Sequence, residues 1–319
     1  MDNAISGENY GLVGTLEAPP LSEKEQSVLI EGRRLTLSNL EKVLWPEERI
    51  TKAEVIKYYA DVSEYIIAFL KDRPIMTRRY PNGIAEGYFV QKHFPHVPSW
   101  VKLFYFKSEP YLLCNNLPTL VWFANLAAIE INHMLARRPS LSRQDIALID
   151  LDPHPPASFN EARIAARGVA TLLDRLGLDF LLKTSGADGI HFFIPIRRRY
   201  GVEKIRRFVY AIGRLLEKAD PKLATVSTRP DKKKGHVYID FLQNGLEKTI
   251  TAPLSIRAVP GAPVSYPLTV GQLDDQKLTP QQFSIRKAPR QSPALRRMLQ
   301  VIKLSQDLEQ AFSKLGMKA

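Results

Sequence analysis

Apolar and polar residues alternate along this chain at two periods, which divide it into strands and helices. SVLIEG and RRLTLSN, from Ser27 onward, predict a hairpin around Glu31 and Gly32. Thr51 and Glu54 stand at capping-box spacing before AEVIKYYADVSEYIIAFL, whose apolar residues recur at helical intervals, so one helix is expected there. PIMTRRY and GYFVQKH read as strands. LPTLVWFANLAAIEINHML predicts a central buried helix, with Pro118 in its first turn and apolar residues nearly all round. DIALIDLDP reads as a strand ending at a proline, and Ser158 with Glu161 caps the helix ARIAARGVATLLDRL, which Gly177 closes. DFLLKTS and GIHFFIPI read as a strand pair around the turn Gly186 to Gly189. A basic amphipathic helix, VEKIRRFVYAIGRLLEKA, precedes the loop RPDKKKG and the strand HVYIDFLQ; PALRRMLQVIKLSQDLEQAFSKL is expected to be helical and to pack on the outside.

Strands and helices mix without strict alternation, which predicts an α+β fold: a single large mixed α/β domain over 27–319, after a polar, Gly/Pro-punctuated extension at 1–26 expected to be flexible. Hydrophobic residues make up 45% of the chain, enough for a packed core, so global disorder is excluded. Against 33 Asp and Glu stand 45 Lys and Arg, a net charge of +12 that calls for an anionic partner: nucleic acid, a phosphorylated metabolite or an acidic membrane. Cys114 is the only cysteine, which excludes an internal disulfide framework and a Cys-based zinc site and suits a reducing compartment. With no signal-like N-terminus and no apolar run near the ~18 residues of a membrane span, a soluble cytoplasmic protein without a membrane partner is expected.

In IALIDLDP, Asp150 and Asp152 lie two residues apart, so on a strand both carboxylates project to one side. Acids ending an apolar strand need counterions, and a hard divalent cation, Mg²⁺ or Mn²⁺, suits oxygen-only ligands. The alternative is that they cap the following helix or form surface ion pairs. Asp240, in the apolar run HVYIDFLQ, offers a third acid, and two strands presenting three acids suit two-metal nucleotidyl transfer. In KTSGADGIH, Ser185, Gly186 and Gly189 could turn N–H groups and a hydroxyl toward phosphate, with His191 beside them; a tight hairpin with an incidental histidine is the plainer alternative. The glycine spacing does not match a Walker A loop, and no Cys/His cluster gives His133 or His191 a zinc partner.

Taken in order, IDLDP, KTSGADGIH and VYIDFLQN resemble the three signature motifs of the archaeo-eukaryotic primase superfamily. More closely, the chain resembles the polymerase domain of bacterial ATP-dependent DNA ligase D, the primase-polymerase of prokaryotic non-homologous end joining. LSNLEKVLWPEERITKAEVIKYY, LVWFANLAAIE and QNGLEKTITAPLSIRAVPGAPVSYPL carry the likeness over roughly 28–290, with helices at 291–319 beyond it. The resemblance implies central antiparallel or mixed sheets flanked by helices, with the active site in the cleft between them. It implies Asp150, Asp152 and Asp240 as ligands of two Mn²⁺ or Mg²⁺ ions. Ser185, Gly186, His191 and Arg257 would bind the triphosphate of an NTP or dNTP. Asn39, Lys42 and Lys52 match a pocket for the 5'-phosphate across a DNA gap or break, and Phe89 a template-stacking aromatic with Lys92 beside it. Arg78, Arg79 and the run Lys232, Lys233 and Lys234 are candidate DNA contacts, the run being otherwise a solvated charge cluster.

Three positions depart from the family pattern: Val90 replaces a second aromatic, Asn132 stands where a histidine is common, and Val259 where a second arginine is common. His133 comes one position late and on a helix would point about 100° away. The implied activity is template-directed gap filling and 3'-end extension at double-strand breaks, with Mn²⁺ and ribonucleotide preference, near the nucleoid. Its expected partners are broken or gapped DNA, Ku, and a separate ATP-dependent DNA ligase acting in trans. A primase for replication or damage tolerance shares the acids but not the need for a 5'-phosphate pocket. A non-catalytic end-binding module would need neither acids nor His191.

Overall fold

In the computed structural model, which describes residues 25–317, the first hairpin already starts at Glu25, two residues earlier than expected. The remainder of the expected flexible extension, 1–24, lies outside the described residues. Strands Glu25–Ile30 and Arg33–Ser38 pair with Ile30 opposite Arg33, leaving a two-residue turn. Glu31 (φ 47°) and Gly32 (φ 73°) both take the left-handed conformation that matches such a turn to strand twist.

The Thr51 and Glu54 capping box forms in both directions. The helix it opens is two helices, Lys52–Asp61 and Ser63–Leu70, because Val62 (ψ 7°) leaves the helical range and redirects the axis. From the first helix, the buried Tyr58 hydroxyl donates to Leu254 O at 2.9 Å and Tyr59 donates to Ile129 O, so it clamps two distant segments together.

The central helix expected from Leu117 onward is half right. Helix Leu117–Asn125 ends, Ala127 turns left-handed (φ 55°), and Ala128–Met134 is a strand with every residue buried. A strand buried on both faces and a buried helix give the same continuous apolar signal, and β-branched Ile129 and Ile131 favour the strand. It is an inner strand of a four-stranded antiparallel sheet ordered Thr249–Thr251, Ala128–Met134, Ile75–Arg79, Phe89–Gln91.

A second, six-stranded sheet runs Ala224–Thr225, Val237–Ile239, Ile146–Pro153, Ile190–Pro195, Leu181–Thr184, Pro267–Leu268. Only its first pair is parallel. Helices Phe159–Leu176, closed by left-handed Gly177, and Val202–Ala219 pack against it. The C-terminal segment forms two short helices, Pro293–Val301 and Glu309–Lys314, rather than an outer covering. Leu295, Met298, Val301 and Phe312 are buried, because the amphipathic faces of both helices complete the core. The expected loop at RPDKKKG contains a single helical turn, Pro230–Lys233. No helix among the described residues is long and apolar enough to cross a membrane.

Candidate active site

The strand Ile146–Pro153 is buried until its last third, where Asp150 is partly covered and Asp152 exposed. Asp240 is not inside a strand, as its apolar neighbours predicted. The neighbouring strand ends at Ile239, and Asp240 caps a short 3-10 turn, its carboxylate accepting from Leu242 N–H at 3.0 Å and from the Tyr238 hydroxyl at 3.3 Å. Its own N–H donates to Asp150 O at 2.9 Å, which ties the two acid-bearing segments together. Where that strand has stopped, the Asn244 side chain serves instead: its Oδ1 accepts from Leu148 N–H at 2.8 Å and its Nδ2 donates to Leu148 O at 2.7 Å. The chain is thereby free to turn at Asp240 without leaving the central strand's backbone unsatisfied.

Partial desolvation by the surrounding protein and the charge of Asp150 push the carboxyl groups of both Asp152 and Asp240 above the usual range, so the three acids repel one another. Each has a polar neighbour: Asp150 Oδ1 lies 3.2 Å from His191 Nε2, Asp152 Oδ2 lies 3.4 Å from His154 Nε2, and Asp240 holds the contacts above. Among the described residues no three such side chains already converge on one point. The donor chemistry nevertheless fits a divalent cation: hard oxygen ligands, partly desolvated, whose repulsion a cation relieves.

Opposite the acids, Ser185 closes the turn between the strands Leu181–Thr184 and Ile190–Pro195. Its Oγ accepts from Ala187 N–H at 3.1 Å and Gly189 N–H at 3.0 Å. Those two N–H groups are therefore spent inside the loop rather than turned toward a phosphate, while the hydroxyl proton stays free to donate. Gly186 (φ 79°) is left-handed, and a Cβ there would lie 2.6 Å from Arg257 Cγ and 3.0 Å from Ser265 N. Gly186→Ala should therefore cost about 2 kcal/mol and lower the melting temperature by roughly 3–6 °C. A thermal melt unchanged from wild type would contradict this packing.

Arg257 spans the two sheets: its Nη1 donates to Ser185 O at 3.3 Å and Thr251 Oγ1 at 3.0 Å, and its Nε to Glu130 Oε1 at 3.2 Å. Arg78 Nη1 donates to the other oxygen of Glu130, also at 3.2 Å. The buried Glu130 thus holds two arginines over the cleft, a role its sequence gave one sign of, a lone acid within an apolar run. Lys183, a charge within the apolar run DFLLKTS, is fully buried and contacts His191 Nδ1 at 2.8 Å. Burial, with Lys183 adding to it, pushes the His191 imidazole down to about 4.

On a strand, neighbours alternate by half a turn, so His133 points away from Glu130 and Asn132 altogether rather than about 100° aside. It is buried edge-on to Phe69 and Phe193, as a core residue. Asn132 faces the cleft side, its Oδ1 accepting from Thr251 at 3.2 Å and its buried Nδ2 without a partner. Val259 contributes its carbonyl, which accepts from Trp45 Nε1 at 2.9 Å.

A second concavity, about 300 Å³, is lined by Ser38, Asn39, Lys42, Lys52, Arg79 and Asn82, among others, with no carboxylate. Lys52 is buried there, its Nζ donating to Ser38 O at 2.5 Å, and burial next to the charges of Lys42 and Arg79 brings its ammonium down to about 8. Lys42 Nζ donates to Asn82 Oδ1 at 3.1 Å. The adjacent Arg78 and Arg79 serve different places: Arg78 holds Glu130, whereas Arg79 lines this pocket and donates to Leu126 O at 2.7 Å. Phe89 and Val90 are exposed, and so is Tyr88. Arg79 lies over the Phe89 ring and Arg78 over that of Tyr88, each at 5.0 Å, so an aromatic on the near side accompanies the Val90 departure. Lys92 is exposed just past that strand. The lysine run splits: Lys232 lines an open groove with Arg214, Lys218, Arg229 and His236; Lys233 Nζ sits 3.4 Å over the Tyr238 ring beside Asp240; Lys234 is exposed.

Residues 51–298 match the family model described as LigD, primase-polymerase domain, and the chain belongs to this family of nucleotidyltransferases. More particularly, it is 32% identical over 79% of its length to the bifunctional non-homologous end joining protein LigD of Bacillus subtilis, spanning 41% of that protein. It is 29% identical over 85% of its length to the multifunctional LigD of Pseudomonas aeruginosa, spanning 33% of it. The chain thus spans about two-fifths or less of these relatives. The polymerase domain of Mycobacterium tuberculosis ligase D, solved in complex with DNA, superposes with a TM-score of 0.74 at 27% identity, covering 86% of this chain and 97% of that one. The mixed α/β architecture is shared with that domain.

Proposed function

We propose that this protein is a metal-dependent, template-directed polymerase that fills gaps and extends 3' ends at DNA double-strand breaks. One observation carries the choice: the acid-bearing cleft is accompanied by a separate, carboxylate-free pocket of Lys42, Lys52 and Arg79. A strand-starting primase has no need of a second phosphate site, and an end-binding module has no need of three repelling acids.

Asp150, Asp152 and Asp240 would hold two divalent ions, Mn²⁺ by family resemblance or Mg²⁺, which when bound supply an activated 3'-hydroxyl and charge neutralisation at the leaving pyrophosphate. The chain's own groups do the rest. Arg257, aimed by Glu130, the Ser185 hydroxyl and His191 bind and orient the triphosphate, and Gly186 lets Arg257 lie against the loop. Asn39, Lys42 and Lys52 grip the downstream 5'-phosphate through their side chains, since the N–H groups of the first helical turn are spent on Lys42 O, Leu40 O and Thr51 Oγ1. Phe89 stacks on the template, with Lys92 and Lys232 to Lys234 on DNA phosphates. Ribonucleotide preference, Ku and a ligase as partners, and work at the nucleoid follow from the family resemblance.

The test is extension of a gapped primer-template, with and without a downstream 5'-phosphate, with Mn²⁺ or Mg²⁺ and either rNTPs or dNTPs. Addition stimulated by the 5'-phosphate is expected. No addition under any combination sinks the polymerase reading, and addition indifferent to the phosphate sinks its repair version.

A further inference from the structure

Arg79 is the last residue of its strand and lies opposite Phe89 in the register. Its guanidinium is held from two sides: Nε donates to Leu126 O at 2.7 Å and Nη1 to Gln91 Oε1 at 2.6 Å. Gln91 is fixed in turn, its Nε2 donating to His93 O at 3.1 Å. Phe89 and Gln91, two residues apart on one strand, project to the same side. Arg79 reaches across both, its guanidinium carbon 5.0 Å from the centre of the Phe89 ring and within cation–π range.

The two hydrogen bonds use two of the five N–H donors of a guanidinium. Among the described residues the other three have no protein partner, and no carboxylate pairs with the charge. Its neighbour Arg78 differs here: it also covers an aromatic, Tyr88, but its charge is spent on the buried Glu130. Arg79 lines the pocket of Lys42 and Lys52, where three cations oppose one another without an acid. An oxyanion there relieves the repulsion and takes the N–H groups that Arg79 leaves free. One guanidinium thus serves the pocket and an aromatic ring that is 44% exposed.

We propose that Arg79 is a positioning residue that couples the two places: an oxyanion bound beside Lys42 and Lys52 fixes the guanidinium, and the guanidinium steadies Phe89 for stacking on a nucleobase. The nucleobase, that of a template strand, rests on the polymerase reading; the link from pocket to ring does not. Coupling is reciprocal, so a stacked base tightens the oxyanion by the same factor. The expected factor is about 2- to 30-fold, the range of a cation–π contact.

The link is tested by titrating inorganic phosphate into the whole, metal-free chain. Aromatic ¹H–¹³C signals of Phe89, assigned by their loss in Phe89→Leu, are followed beside the ε-methylene signals of Lys52, assigned by their loss in Lys52→Met. Both sets are expected to move with one dissociation constant. Lys52 signals that move alone overturn the coupling, and stillness in both sets removes the bound oxyanion and the coupling with it. Arg79→Lys keeps the charge but not the planar fork that reaches strand and pocket together. In that variant phosphate is expected to move Lys52 still and Phe89 no longer; a Phe89 response of wild-type size overturns the proposal. The nucleobase is tested with gapped duplexes carrying a downstream 5'-phosphate or 5'-hydroxyl. Phe89→Leu should lower the ratio of the two affinities about 2- to 30-fold, although Phe89 does not line the pocket. Equal weakening of both duplexes overturns the coupling. Weakening of neither removes the template base, and the phosphate titration, which needs no DNA, then decides the link by itself.

Discussion

Asp150→Ala is expected to abolish nucleotide addition, by at least about a thousandfold, because a carboxylate that holds a catalytic ion carries several kcal/mol of transition-state stabilisation. Stability should move the other way. Asp150 is the charge that, after burial, most raises the carboxyl groups of Asp152 and Asp240, so removing it relieves repulsion that the fold sustains without a cation. The melting temperature of metal-free Asp150→Ala should equal or exceed that of wild type, and binding to gapped DNA should persist if the separate pocket of Lys42, Lys52 and Arg79 is what holds the 5'-phosphate. Activity lost with stability kept is the signature of a group retained for chemistry. Primer extension beside a thermal melt reads both, and retained synthesis removes Asp150 from the catalytic set.

Lys42→Ala and Lys52→Met should each erase most of the preference for a downstream 5'-phosphate over a 5'-hydroxyl. A charge-assisted hydrogen bond contributes ~1.5–3 kcal/mol, so the ratio of extension on the two gapped substrates should fall by roughly 10- to 150-fold per lysine. The pocket holds no acid to compensate either charge. Lys52 also gives the preference a pH dependence. Its ammonium titrates at about 8 in the free pocket, so the charge is present at pH 7 and is lost as pH rises through that value. The phosphate preference of the wild type should weaken above about pH 8 and also with added salt. In Lys52→Met the alkaline decline should vanish; a preference that persists in both variants assigns the 5'-phosphate elsewhere.

Legibility in the sequence followed how local the determining physics is. Both capping boxes, the Glu31 and Gly32 turn and the Gly177 terminus were readable because each is settled within a few residues. The stretch after Asn125 was misread because its burial, on both faces, erases the period that separates helix from strand. That error carried over to His133, which strand alternation turns into the core. Asp240 was placed one residue too far into its strand, since the Asn244 side chain that lets the chain turn early bonds to Leu148, 96 residues away.

Motif order determined the family and the mixing of strands and helices determined the fold class, while the +12 charge is what calls for an anionic partner. They also picked out the three acids, because charged residues in apolar runs are costly and therefore conspicuous in a single sequence. Only the tertiary structure decided what Glu130 and Lys183 do, for the value of a buried charge lies in partners that arrive from other strands. Glu130 meets Arg78 and Arg257, and Lys183 meets His191 and Ser265, contacts that span from 8 to 127 residues. It also divided the positive surface, sending Arg78 to Glu130 and Arg79 to the carboxylate-free pocket of Lys42 and Lys52, because adjacent side chains on a strand face opposite ways.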